Sequence, residues 1–164
     1  MSRSGSKLEE DIQTQVDQLI ERLLNEPDGW NEQADAIIDE LIAIGEPAII
    51  PMIYQFLGCP DLDYPLDNTQ EVAYVLGEMG EPAIRALHQA LGDSDPYVSD
   101  RAARALGDIG DKTAIPLLKD LLWREHSGSA LIALAQIGGD EAAQILLKEL
   151  DSGHFNTSFV ITWL

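Results

Sequence analysis

A phrase repeated four times constrains this chain more than any other feature. The stretches are Ile42-Ala43-Ile44-Gly45-Glu46-Pro47-Ala48-Ile49, Leu76-Gly77-Glu78-Met79-Gly80-Glu81-Pro82-Ala83-Ile84, Leu106-Gly107-Asp108-Ile109-Gly110 running on to Ala114-Ile115, and Leu134-Ala135-Gln136-Ile137-Gly138 running on to Ala142-Ala143. Their second glycines fall at 45, 80, 110 and 138, in steps of 35, 30 and 28 residues. A helical period of about 30 residues marks a solenoid, in which each unit cannot bury its apolar face alone and stacks on its neighbours.

Each unit follows one plan. A first helix ends at the phrase, at about 31–44, 69–79, 97–109 and 127–137. The second glycine there permits a left-handed turn that a side chain would disfavour. A Glu-Pro pair (46–47, 81–82) opens the next helix in two units, because proline is tolerated in a first turn, where its missing N–H has no helical partner. Second helices are expected at about 47–57, 82–91, 113–122 and 140–150. The repeats therefore span about 31–58, 69–92, 97–123 and 127–151.

Before them, residues 1–6 are small and polar and are expected to be loose. Ser6 and Glu9 have the spacing of a capping box, and Leu8, Ile12, Val16, Leu19, Ile20, Leu23 and Leu24 form one apolar stripe. The expectation is a helix over 7–25 that caps the open end of the stack, within a single repeat domain over 7–164. After the repeats, the segment 155–164 reads as half of another unit, with Leu164 in the place of Leu76. Its Phe155, Phe159 and Trp163 are too apolar for a free tail, so this end is expected to fold back or to pair with a second copy as a homodimer.

The formal net charge of −19 repels nucleic-acid phosphates and anionic membranes and favours a basic protein partner. The acid is concentrated. Between Leu23 and Ile84 lie 13 acidic residues and no Lys or Arg, leaving −6 for the rest of the chain. Such a block is either a solvated face or a local field that steers a partner. Cys59 stands alone, so no intrachain disulfide forms. No apolar run approaches the roughly 20 residues of a membrane span, and the start has no secretory pattern, so a cytoplasmic location is expected.

The pattern Ala102-Ala103-Arg104-Ala105-Leu106-Gly107-Asp108-Ile109-Gly110, continuing through Ile115 and Leu118, resembles the short HEAT-like repeats named after phycobilisome lyases. The resemblance covers about residues 31–164. It implies an all-α, right-handed superhelix of helical hairpins, with the second helices lining the concave face. The family holds bilin lyase subunits, other proteins that act on phycobilisomes, and adaptors without catalysis. The resemblance therefore also admits a bilin lyase or isomerase subunit or a phycobilisome-associated repeat protein, although no bilin-attachment signature is present.

Catalytic chemistry finds no support. Deoxyhypusine hydroxylase, built from similar repeats, holds two irons with His-Glu pairs at the starts of first helices. The equivalent places here are Gln70-Glu71, Asp100-Arg101 and Gly128-Ser129, and none has a histidine. His88, His126 and His154 lie on separate elements without metal-ligand spacing. Asp61, Asp63 and Asp67 suggest a calcium loop, but Leu66 and Val72 occupy the places of its essential glycine and glutamate. No catalytic residue, metal or cofactor is expected.

The second helices remain as the surface to read. Spacing turns Ile84, Leu87 and Leu91 to the core and Arg85, His88 and Gln89 outward. The matching positions are Ile50, Ile53 and Tyr54 in the first repeat, Pro116, Lys119 and Asp120 in the third, and Gln144, Leu147 and Lys148 in the fourth. This stripe runs from apolar to mixed polar. Its apolar end forms a contact surface unless the N-terminal helix covers it.

Overall fold

A computed structural model describes residues 3–24, 32–57, 68–123 and 128–152. These residues form nine α-helices and no strand. They are α1 (Arg3–Leu24), α2 (Glu32–Ile44), α3 (Glu46–Leu57), α4 (Asn68–Glu78), α5 (Glu81–Ala90), α6 (Pro96–Ile109), α7 (Ile115–Leu121), α8 (Gly128–Ile137) and α9 (Gly139–Ser152). A short 3-10 turn, Lys112–Ala114, leads into α7.

Four hairpins stack in two layers. The first helices α4, α6 and α8 pack side by side in one layer, and α2 touches α4. In the other layer α3 packs on α5 and α7 on α9. All four phrase-ending glycines adopt the left-handed conformation: φ is 73° at Gly45, 72° at Gly80, 75° at Gly110 and 64° at Gly138. The backbone reverses there within one or two residues, which is why the phrase recurs. Asp95 starts α6 by accepting a hydrogen bond from the Tyr97 N–H at 2.9 Å, with Pro96 at the first helical position. Asp111 does the same for the 3-10 turn, accepting from the Thr113 N–H at 3.0 Å.

One alanine in or just before each second helix, Ala48, Ala83, Ala114 and Ala142, is fully buried, and so are Met52, Leu87 and Leu118 four residues on, with Leu146 nearly so. Residues four apart share a helix face, which makes this a seam; Leu87 and Leu91 are buried as spacing predicts, whereas Ile84 is half-buried and Ala83 takes the core place. The core runs without a break from Val16 to Leu146.

The N-terminal helix packs on α2 and α3, burying Val16, Leu19 and Ile20. It therefore covers the end of the stack, as its stripe predicts. It begins at Arg3, however, so Ser6 lies inside the helix and not at a boundary. It also leaves one edge of α2 open. Val75, Ala105 and Ala133 are buried in α4, α6 and α8, whereas Glu40, at the same repeat position of α2, is exposed. A polar residue is what an uncovered solenoid end requires.

Phe155, Phe159 and Trp163, the acidic link with Asp61, Asp63 and Asp67, and Cys59 lie outside the described residues.

Candidate functional site

The second-helix stripe forms in part. Ile50 and Tyr54 are 51 % and 47 % exposed, so α1 packs on α3 without covering them. Arg85, Gln89, Lys119, Asp120 and Lys148 are also exposed. Ile53 is a correction. It is wholly buried, because α3 has helices on both sides, α1 and α5. The repeat position it shares with His88, Lys119 and Leu147 becomes progressively more open, and Leu147 is 58 % exposed.

Two stripe residues also tie repeats together. Tyr54 donates its hydroxyl hydrogen to Asp93 Oδ2 at 2.8 Å, and the Asp95 N–H donates to Asp93 Oδ1 at 2.8 Å. The Asp95 hydrogen bond, with that of Tyr54, holds the Asp93 carboxyl below its ordinary range, and the same contact raises the Tyr54 phenol. His88 Nε2 lies 2.7 Å from Asp111 Oδ2, linking α5 to the turn before α7. Burial pushes the Asp111 carboxyl up, but hydrogen bonds from Thr113 and His88 outweigh it and leave the group lowered. Tyr54 and His88 are thus structural members of this stripe.

The outer face of the first-helix layer carries features that sequence reasoning did not single out. Between α4 and α6 lies an open groove of about 530 Å³, lined by Ala73, Tyr74, Gly77, Glu78, Asp108 and Ile109. Between α6 and α8 lies a second, of about 360 Å³, with Tyr97, Asp100, Arg104 and Ser129 on its walls. Tyr74 and Tyr97 are 57 % and 54 % exposed. Arg104 Nε donates to Ser129 Oγ at 3.1 Å, and Gln136 Nε2 donates to Asp108 Oδ1 at 2.6 Å. Burial raises the Asp108 carboxyl above its ordinary value, and the Gln136 hydrogen bond and the Arg104 charge oppose this without cancelling it. The available signal was the variable residue of the phrase itself: Glu78, Asp108 and Gln136 occupy one repeat position.

No group of three or more His, Cys, Asp or Glu residues placed to hold a metal occurs among the described residues, and none of their helices is long and apolar enough to cross a membrane.

The pattern for HEAT repeats matches residues 63–130, and that for the PBS lyase HEAT-like repeat matches residues 128–152. A HEAT repeat-containing taxis protein of Halobacterium salinarum is 27 % identical over 136 residues, covering 76 % of this chain and 33 % of that protein. A phycocyanobilin lyase subunit alpha of Picosynechococcus sp. is 41 % identical over 64 residues, covering 38 % of this chain and 23 % of that subunit. The chain thus spans a third or less of the length of these relatives. Glycine-punctuated hairpins, their two-layer stacking and both repeat matches agree: residues 63–152 carry HEAT repeats, with one of the phycobilisome-lyase type at 128–152.

Proposed function

We propose that this chain is a non-catalytic protein-interaction module whose acidic surface selects a basic protein partner. The observation that carries the reading is the run from Leu23 to Ile84, with 13 acidic residues and no Lys or Arg. On a stacked scaffold such a run gives a sustained field of one sign. That field raises the association rate of a cationic partner and excludes phosphate-rich ones. Exposed Ile50, Tyr54, Tyr74 and Tyr97 supply apolar anchors of the kind that slow dissociation.

Capture from a native lysate, with elution by a salt gradient, tests this. The reading expects proteins of high isoelectric point that leave as salt rises. Retention of neutral or acidic proteins only, or turnover of a small molecule by the purified chain, would refute it.

The stretch similar to the phycocyanobilin lyase subunit supports a second reading, a lyase or isomerase subunit. Phycocyanobilin added with an apophycobiliprotein then changes its visible absorption in the presence of the chain. An unchanged spectrum removes this reading.

A further inference from the structure

We propose that the groove between α4 and α6 seats a lysine or arginine side chain from a basic segment of the protein partner. The inference rests on the reading of the chain as an acidic interaction module and gives it a place. Tyr74 and Glu78 stand four residues apart on α4, so they share one face of that helix. Gly77, between them, contributes no side chain, which leaves the groove open down to Ile109 and Asp108 of α6. The walls thus combine an aromatic ring, two carboxylates and an apolar floor. A long cationic side chain matches each of these. Its methylenes lie on the apolar floor, its charge meets Glu78 and Asp108, and the ring face favours a cation over a neutral group.

Charge complementarity singles out this groove. Asp108 is partly withdrawn from water, and burial is the largest influence on its carboxyl. Gln136 occupies one of its oxygens, and a carboxylate has capacity for further donors. An incoming cation restores to this anion what burial removed. The neighbouring groove between α6 and α8 does not select charge in this way, because Asp100 and Arg104, one turn apart on α6, put both signs of charge in its lining. The second-helix layer is less suitable still, since Arg85, Lys112, Lys119 and Lys148 are exposed on it.

The test compares two double variants of equal charge. Glu78→Gln with Asp108→Asn empties the groove of carboxylates, while Asp39→Asn with Glu40→Gln removes two exposed carboxylates from α2. Binding of a fluorescein-labelled oligoarginine peptide is read by anisotropy at low salt, after circular dichroism has confirmed that both variants fold. The groove variant is expected to weaken binding about tenfold more than the α2 variant, and Tyr74→Ala is expected to weaken it at unchanged net charge. Equal losses in the two double variants would overturn the groove while leaving the acidic module standing, since general attraction then explains the binding. Failure of the unmodified chain to bind the peptide would overturn both.

Discussion

Gly77 and Gly107 occupy one position of the repeated phrase, yet alanine is expected to act on them in opposite directions. A Cβ built on Gly107 would lie 2.5 Å from Gln136 Oε1, 2.7 Å from Ala133 Cα and 3.0 Å from Ala133 Cβ. The glutamine end can swing aside at the cost of its hydrogen bond to Asp108. The Ala133 Cα is backbone, so only separation of α6 from α8 relieves that contact. Overpacking of this kind costs about 1–3 kcal/mol, against a gain of about 0.5–1 kcal/mol for replacing a helical glycine. Gly107→Ala is therefore expected to destabilise by roughly 1–2 kcal/mol. At Gly77 the nearest atom is Ile109 Cγ1 at 3.6 Å, an ordinary van der Waals distance. Gly77→Ala is expected to gain about 0.5–1 kcal/mol, because it only removes unfolded-state freedom. For a chain of this size each kcal/mol moves the melting temperature by about 2–4 °C. Urea unfolding followed by far-ultraviolet circular dichroism reads both. A Gly107→Ala protein as stable as the unmodified chain, or shifts of the same sign in the two variants, would refute the reasoning.

Gly110→Ala tests backbone strain alone, since no heavy atom lies within 4 Å of the added Cβ while φ is 75°. A loss of about 1–2 kcal/mol is expected in the same urea assay, and a smaller one for Gly110→Asn. Ser99→Ala removes the hydroxyl that donates to the Leu91 carbonyl at 2.9 Å in a buried site, and about 1 kcal/mol should go with it by thermal melting. Acid acts on Asp111 and Asp108 with opposite signs. The lowered Asp111 value means that its stabilisation is present above the unfolded carboxylate value and is lost as pH falls through the lower folded one, so melts of Asp111→Asn should show less loss in that acid window. The raised Asp108 value means that folding gains as pH falls through it, so Asp108→Asn should raise the melting temperature at neutral pH and lose that advantage in acid.

The phrase made the hairpin boundaries legible because each second glycine meets a backbone demand that few other residues satisfy. The buried seam of Ala48, Ala83, Ala114 and Ala142 recurs in every unit, yet spacing pointed to Ile84 in place of its neighbour Ala83. Ile53 was not legible either. Helical spacing assigns faces relative to one core, whereas a stacked helix also has lateral neighbours, and those depend on its rank in the stack. The same repeat position is thus core in Ile53 and surface in Leu147. The grooves were hidden for another reason. Whether a phrase glycine opens a groove or closes a contact depends on the distance to the next helix, which two identical letters, Gly77 and Gly107, do not encode.

The hairpin architecture gives this charge pattern a consequence. Because first and second helices form separate layers, residues a few positions apart in sequence end on different faces. Asp39, Glu40, Glu78 and Asp108 belong to the first layer, and Arg85, Lys112, Lys119 and Lys148 to the second. Arg101 and Arg104 reduce the acid of the first layer only towards α6 and α8. A cationic partner is therefore drawn towards the end of the first layer built from α2 and α4, neither of which carries a Lys or Arg. At physiological ionic strength screening acts over about 8 Å, so this discrimination operates only within the last few ångströms of approach. Orientation of the partner on the stack is then decided by which layer its basic segment meets, and rising salt should erode that choice as it weakens binding.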